Sequence, residues 1–330
     1  MILSYAVAQR GNLYPEAYNC LRSLPDIALQ HGDHGLRHPL GIYSISLHRV
    51  TQAFQDVLAE NDQVYHAPLK EDDNIDFNSD PLLKAQQELL DALMAHIDDG
   101  YQILKALYPA SRMTKTKPVP FADKWLEQAK HPTVARFKHL IKPYRDTFAP
   151  IVNRMKHEHG RFRALLMRNF DQPQNPQQRI AGYFVEGVDK HGTVGPDIKI
   201  HGKDRAISFH RDLRYHFVHL YMVDHFLSNA IVEAINKTYP VQFKPSVYFD
   251  RPSLEIITIA ESVSHLPFLF FFDEVSKPTP TVGLSSDYPG VELTLNDTSQ
   301  IKAASMLKWK VQLTYTGDSV TKSWILPYMG

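Results

Sequence analysis

The feature that most constrains the fold is a long uninterrupted segment, residues 208–236, which contains neither proline nor glycine. Its apolar side chains recur at spacings of three, four and seven, which is the period of an amphipathic helix. This main row consists of Leu213, Phe217, Leu220, Leu227, Ile231 and Ala234. Val218, Met222 and Phe226 form a second apolar row. Because most sides of such a helix need cover, we expect it to lie at the centre of the molecule.

The segments before this helix are mostly helical in pattern, and those after it resemble strands. We predict helices over residues 42–60, 80–108, 121–129, 132–141 and 144–159, with Pro143 and Pro150 limiting the last two. A β-hairpin of strands 179–188 and 197–200 precedes the long helix. We predict further strands over residues 246–249, 254–259, 268–275, 281–284, 291–295, 307–315 and 322–326. The pattern predicts an α+β fold, with a helix-rich N-terminal part and an antiparallel β-rich C-terminal part.

The length of the chain favours two domains, because 330 residues are many for one hydrophobic core. We predict a mainly helical domain over residues 1–170. An α+β domain over residues 171–330 would hold the hairpin, the long helix and the C-terminal sheet.

Composition favours an ordinary cytoplasmic protein. The 36 basic and 36 acidic residues balance, so there is no overall electrostatic bias toward nucleic acid or acidic membranes. The single cysteine, Cys20, excludes an internal disulfide, and we expect a buried thiol and no disulfide-linked partner. We find no signal-peptide pattern and no apolar run long enough to span a membrane.

Residues 153–159 contain the first candidate site, in which Arg154 and His159 are separated by four residues. This spacing resembles the arginine–histidine motif of the HEPN ribonucleases, although Met155 stands where that family usually has a polar residue. The resemblance implies metal-independent RNA cleavage by a dimer. The histidine would transfer protons, and the arginine would stabilise charge on the phosphate. The alternative is a solvated helix end, where cationic side chains are favourable.

The second candidate site lies on the long helix, where Asp212, His216 and His219 share one side. Two imidazoles and a carboxylate are suitable ligands for Zn²⁺ or Fe²⁺, so they predict a divalent transition metal. The alternative is an Asp–His pair and a boundary histidine, hydrogen-bonded to facing strands. On that alternative, no cofactor is expected.

The absence of several catalytic motifs narrows the range of functions without identifying one. The chain has no GxGxxG, Walker lysine loop, HExxH, GxSxG or CxxC, which disfavours Rossmann redox, P-loop and serine-hydrolase chemistry. The aromatic run 268–272, followed by Asp273 and Glu274, predicts a buried strand with a polar end, or an exposed interface strand. The leading hypothesis is a binding or assembly protein that contacts a protein partner or itself. The alternatives are the ribonuclease, which would bind RNA, and the metal-dependent enzyme.

Overall fold

The computed structural model describes residues 4–6, 13–68, 70, 76–113, 119–158, 160–169, 179–246, 254–275, 277, 279–285, 290–294, 309–313, 325 and 327–328. Its helices are α1 (Glu16–Arg22), α2 (Pro39–His66), α3 (Asp80–Ala106), α4 (Ala122–Gln128), α5 (Val134–His157), α6 (Ile198–His201), α7 (Phe209–Thr238) and α8 (Leu254–His265). Its strands are β1 (Ser4–Ala6), β2 (Phe162–Asn169), β3 (Arg179–Val188), β4 (Val194–Pro196), β5 (Ile207–Ser208), β6 (Thr281–Ser285), β7 (Gly290–Thr294) and β8 (Trp309–Leu313).

The strands form two antiparallel sheets, so the predicted α+β class is confirmed. The first sheet has the order β1-β7-β6, with Val282 of β6 opposite Leu293 of β7. The second has the order β4-β3-β2-β8, and β5 pairs with β3 at Gly182 and Tyr183. A hairpin does precede α7, as predicted, because β3 pairs with β4, although its second strand lies before the predicted residues 197–200. The pairing of β5 with β3 places the middle of β3 next to the start of α7.

Helix α7 confirms the predicted central helix. It packs against α1, α3, α5, α8 and β3, and therefore has neighbours from both halves of the chain. Leu213, Phe217 and Leu227 are each almost completely buried. One hydrophobic cluster contains Leu90 and Leu166 together with these α7 side chains. The predicted N-terminal and C-terminal parts therefore contribute to one core, and their division into two domains stays a prediction.

Three of the predicted strands are wrong. Residues 254–259 belong to α8, because the buried side chains Ile256, Ile259, Ala260 and Val263 follow a helical period that a strand cannot present. Residues 268–275 are not a strand, since the backbone turns where the Glu274 N–H donates to the Phe271 carbonyl at 2.9 Å. The strand predicted at 197–200 is the short helix α6, and β4 is the returning strand. Predicted strands 246–249 and 322–326 fall largely outside the described residues.

Helix α5 runs through both prolines that we expected to limit it. Pro143 and Pro150 are seven residues apart and both exposed, so they lie on one solvent-facing side of the helix. A proline leaves the carbonyl four residues earlier without its helical donor. Water can satisfy these carbonyls on an exposed face, which explains why one continuous helix forms.

Two further expectations concern Cys20 and membrane-spanning helices. Cys20 is fully buried, and burial raises the pKa of its thiol to about 12, so the predicted buried thiol is confirmed. Within the described part of the chain, none of the helices combines the length and the apolar character that crossing a bilayer requires.

Candidate functional site

Asp212 in the first turns of α7 is the centre of a buried polar network. The Gln86 amide of α3 donates to its Oδ2 at 2.8 Å, and the Tyr183 hydroxyl of β3 donates to the same oxygen at 2.9 Å. Burial alone would raise the pKa of Asp212, but His216, Tyr183 and Arg211 outweigh burial and lower that pKa below its usual value. Asp212 is therefore held as a carboxylate by three elements of the fold.

His216 continues the network toward α5. Its Nε2 lies 3.3 Å from Asp212 Oδ1, and its Nδ1 lies 2.9 Å from the Tyr144 hydroxyl. An ionised carboxylate can only accept, so Nε2 of His216 carries a proton and donates to Asp212. Both ring nitrogens are engaged, and a metal could bind His216 only by displacing one of these partners.

His219 is not brought together with the other two predicted metal ligands. Its Nδ1 contacts the Tyr215 carbonyl at 2.7 Å, and its ring stacks on Tyr144 with 4.6 Å between centroids. Within the described residues, no group of three or more His, Cys, Asp or Glu side chains is placed so that it could hold a metal ion. Asp212 and His216 form a pair and His219 lies apart from them, with helix residues rather than the expected strands as partners of both histidines, and the metal site stays a prediction.

Arg154, the first residue of the proposed ribonuclease pair, contacts two carboxylates. One guanidinium nitrogen pairs with Glu158, and Nε lies 3.5 Å from Asp197 Oδ2. His159 lies outside the described residues. Because a phosphate would compete with Glu158 and Asp197 for the arginine, this geometry does not favour RNA binding, and the ribonuclease alternative stays a prediction.

A polar cavity of about 310 Å³ opens beside the Asp212–His216 pair, between α5, α7 and the side chains of Asp273, Glu274 and Lys277. Arg211, Tyr215 and Glu274 contribute to its wall, together with Asp212 and His216. The Arg211 guanidinium lies 5.8 Å from the centre of the Tyr215 ring. Its charge lowers the pKa of both Asp212 and Glu274, so it lies within electrostatic reach of both carboxyl groups.

Glu274 differs from Asp212 in its surroundings. It is 1% exposed, and its two carboxyl oxygens accept from the backbone N–H groups of Ser208 and Phe271, each at 3.2 Å. Burial raises the pKa of Glu274 to about 7, against the opposing effects of Ser208, Arg211 and Lys277. One wall of the cavity thus holds an ionised carboxylate, and another holds a carboxyl group that titrates near neutral pH.

The mouth of the cavity is cationic. Arg205 and Lys277 lie there, and both approach Asp273, at 3.8 Å and 2.8 Å. The Tyr328 hydroxyl also donates to Asp273, at 2.7 Å. His201 is neutral, because burial lowers its pKa to about 4, and its Nε2 accepts from the Val185 N–H at 2.9 Å. Neutral His201 and paired Asp273 leave the cavity with more cationic than anionic groups.

Sequence reasoning placed Asp212 and His216 correctly on one helix face but missed most of their partners. Gln86, Tyr183 and Glu274 come from three segments far apart in the chain, with no spacing motif that relates them. The one available signal was the pair of acidic residues that ends the aromatic run, Asp273 and Glu274. Sequence analysis assigned them to the polar end of a strand, whereas they form the cavity wall.

A second buried network has the connectivity of a serine–histidine–aspartate triad. Ser46 Oγ lies 3.0 Å from His96 Nδ1, and His96 Nε2 lies 3.0 Å from Asp224 Oδ1. The Tyr43 hydroxyl donates to Asp224 Oδ2 at 2.8 Å. Ser46 is 1% exposed and Asp224 is fully buried, and neither of them lines the polar cavity that Glu274 borders, so a ligand in that cavity cannot reach the serine hydroxyl. This network joins α2, α3 and α7, and we interpret it as structural.

No protein-family model, curated protein or solved structure matches this chain. The functional conclusions therefore rest on the geometry of the chain itself.

Two buried and two half-buried histidines predict a protein that loses stability in mild acid. Burial is the main cause that lowers the pKa of His131, His201 and His219 to about 4 and that of His210 to about 3. As the pH falls from the ordinary histidine value of 6.5, the unfolded chain takes up protons that the folded chain does not. Glu274 acts in the opposite direction, because its raised pKa makes the folded chain the better proton acceptor between 4.5 and about 7. The four rings outweigh this one group.

We therefore expect the free energy of unfolding to be at least about 2 kcal/mol lower at about pH 5 than at about pH 7. Urea denaturation at a series of pH values measures this difference. A His210→Phe variant should reduce the slope by up to about 1.4 kcal/mol per pH unit. A stability that is flat or rises as the pH falls over this range would contradict the assignment of neutral buried histidines.

Proposed function

We propose that the protein is an enzyme that binds a small anionic molecule in the polar cavity and transfers a proton to or from it through Glu274. The observation that carries this proposal is the placement of two carboxyl groups with opposite environments, Asp212 and Glu274, around one cavity. Separation of two carboxyl pKa values by environment is a recurring arrangement in acid–base catalysis.

The charges around the cavity support an anionic ligand. Arg205, Arg211 and Lys277 supply three cations. The two ionised carboxylates already accept from protein donors, Asp212 from Gln86 and Tyr183, and Asp273 from Lys277 and Tyr328. A carboxylate or phosphate group that enters would therefore meet three cationic groups, two of which share the single carboxylate of Asp273. The volume of about 310 Å³ suits a small metabolite.

Binding and proton transfer would be coupled. A negative charge next to Glu274 disfavours its ionised form and raises its pKa further. The bound complex then holds Glu274 as a neutral acid that can protonate the ligand, and the resulting carboxylate can later recover a proton. The Asp212–His216–Tyr144 chain would act beside it by fixing the orientation of the cavity wall, because all three side chains are held by mutual hydrogen bonds.

We expect anion binding to take up protons near neutral pH. Isothermal titration calorimetry with inorganic phosphate, acetate and succinate, in buffers of different ionisation enthalpy, measures this uptake. Wild-type protein should take up a fraction of a proton per bound anion at about pH 7, and Glu274→Gln should take up none. Arg211→Gln should weaken binding about tenfold, whereas Arg37→Gln, which removes an exposed arginine elsewhere, should leave it unchanged.

Catalysis is tested separately by incubation with a mixture of small carboxylates and phosphates, followed by mass spectrometry. Wild-type protein should convert at least one component, and Glu274→Gln should not. Failure of every anion to bind, or proton uptake that persists in Glu274→Gln, would contradict the proposal. Binding of a protein partner, self-association and RNA binding are separate predictions that these measurements do not address.

A further inference from the structure

A second, larger cavity lies on the other side of the first turn of α7. It has a volume of about 830 Å³ and runs between α2 and α8. His210 reaches its wall, two residues before Asp212 and therefore about 200° around the helix. Leu58 of α2 and Ile259 of α8 supply apolar wall. The same helical turn thus separates this cavity, which we call the His210 cavity, from the polar cavity around Asp212.

His210 is a buried polar group whose hydrogen bonding is incomplete. It is 1% exposed, and the backbone of Leu269 is the one group that offers its ring a hydrogen bond, which leaves the other ring nitrogen without a protein partner. The ring stacks on Tyr65 with 4.8 Å between centroids, which fixes its orientation. Leaving a buried polar group unpaired costs about 1–3 kcal/mol. Such a group in a cavity wall points to a ligand that would satisfy it.

Asn61 is a second unpaired group in the same cavity. It is 2% exposed, and its side-chain oxygen has no hydrogen-bond partner. An amide oxygen can only accept, and a neutral imidazole always has one nitrogen that accepts. Both groups therefore favour a ligand that donates hydrogen bonds.

Charge on the cavity rim favours a cation. Asp62 and Glu261 lie on the rim, whereas the wall contains no lysine or arginine among the described residues. Besides burial, the charge of a buried guanidinium, that of Arg214, lowers the pKa of His210. This guanidinium donates to the carbonyl groups of His210, Pro267 and Leu266 and lies 4.1 Å from the centre of the Phe268 ring. These neutral partners hold the guanidinium in place without cancelling its charge, so the rim carboxylates Asp62 and Glu261 supply the negative charge that a cation would meet.

We propose that the His210 cavity binds an organic amine in its protonated form. The ammonium group would donate to Asn61, His210 and the rim carboxylates, and the apolar body would lie against Leu58 and Ile259. This site differs from the polar cavity in location, in the residues that form it and in the charge of its ligand. Failure of one proposal therefore leaves the other unaffected.

The test compares matched probes that differ only in charge. Phenethylamine, phenethyl alcohol and phenylacetate form one series, and tryptamine, tryptophol and indoleacetate form the other. Binding is measured by NMR titration of the full-length protein at millimolar concentrations. We expect the amines to bind at least about tenfold more tightly than the alcohols, and the acids to bind most weakly. The proposal is overturned if neither amine binds, or if the alcohols or acids bind as tightly.

Variants of His210 and of the rim carboxylates provide a second test of amine binding. His210→Phe keeps the stack on Tyr65 and should lower amine affinity about tenfold while the protein becomes no less stable, because an unpaired polar group is removed. Asp62→Asn combined with Glu261→Gln should reduce the preference for the amine over the alcohol about fivefold. Glu88→Gln is the matched control on α3, and it should change nothing. Unchanged amine affinity in His210→Phe overturns the proposal.

Discussion

Replacement of Gly182 by alanine is expected to cause the largest loss of stability of any single methyl addition considered for this chain. A Cβ at this position of β3 would lie 2.3 Å from Phe271 Cε2 and 2.4 Å from the Ile207 backbone oxygen. The phenyl ring is fully buried, and the carbonyl belongs to the neighbouring strand β5, so neither atom can move away freely. We expect Gly182→Ala to lower the free energy of unfolding by more than about 3 kcal/mol, and the soluble yield with it.

Gly100 of α3 is the matched control, because it is buried as well. A Cβ there would meet Phe137 at 3.5 Å and Leu227 at 3.7 Å, which are ordinary contacts. Gly100→Ala should therefore leave stability unchanged or raise it by up to about 1 kcal/mol. Urea denaturation of both variants measures the contrast. Equal stability of the two variants would contradict the close packing of Phe271 on β3.

The Gly182 contact also matters for the candidate active site. Phe271 packs against β3 at Gly182, which has no side chain. The turn that follows Phe271 brings Glu274 to the start of α7. We therefore expect a Gly182→Ala protein that still folds to lose the titration of Glu274 near neutral pH. This links a packing detail to the proposed chemistry.

Replacement of Asp224 by alanine is expected to have the second largest effect. Asp224 is fully buried and accepts from Tyr43 at 2.8 Å and from His96 at 3.0 Å. Its removal leaves a phenol and an imidazole without their acceptor in the core between α2, α3 and α7. We expect Asp224→Ala to lower the free energy of unfolding by about 3–5 kcal/mol.

The control for Asp224 is Asp99, which makes a partly exposed ion pair with Arg49 at 3.3 Å. Asp99→Ala should cost at most about 1 kcal/mol, because solvent screens surface pairs. Both variants are compared by urea denaturation at one pH. An effect of Asp224→Ala no larger than that of Asp99→Ala would show that the network adds little to stability.

Some parts of the fold could be predicted from the sequence because the signal is local. The period of Leu213, Phe217, Leu220 and Leu227 defines α7 whatever surrounds it, and the pattern of residues 179–188 defines β3. In residues 254–259, by contrast, the β-branched residues concealed the helical spacing that extends to Val263. Intrinsic strand preference is weak, and packing of this face against α2 and α7 overrides it.

The candidate site shows the same division between what local sequence spacing predicts and what tertiary packing decides. The four-residue spacing of Asp212 and His216 brings them together by helix geometry alone, and sequence reasoning found that pair. It could not exclude His219, because its stack on Tyr144 depends on where α5 packs. Arg154 likewise could not be assigned its contact with Asp197 from the sequence, since these residues belong to different elements.

The sequence by itself determined the α+β class, the central helix and the pairing of Asp212 with His216, since each depends on the period of one segment. The tertiary structure alone decided that Gln86, Tyr183 and Glu274 surround that pair, and that His210 faces a different cavity from Asp212. The physical reason is that hydrogen bonding and burial act between atoms close in space. Their effects on these side chains arise only when segments separated by dozens of residues pack together.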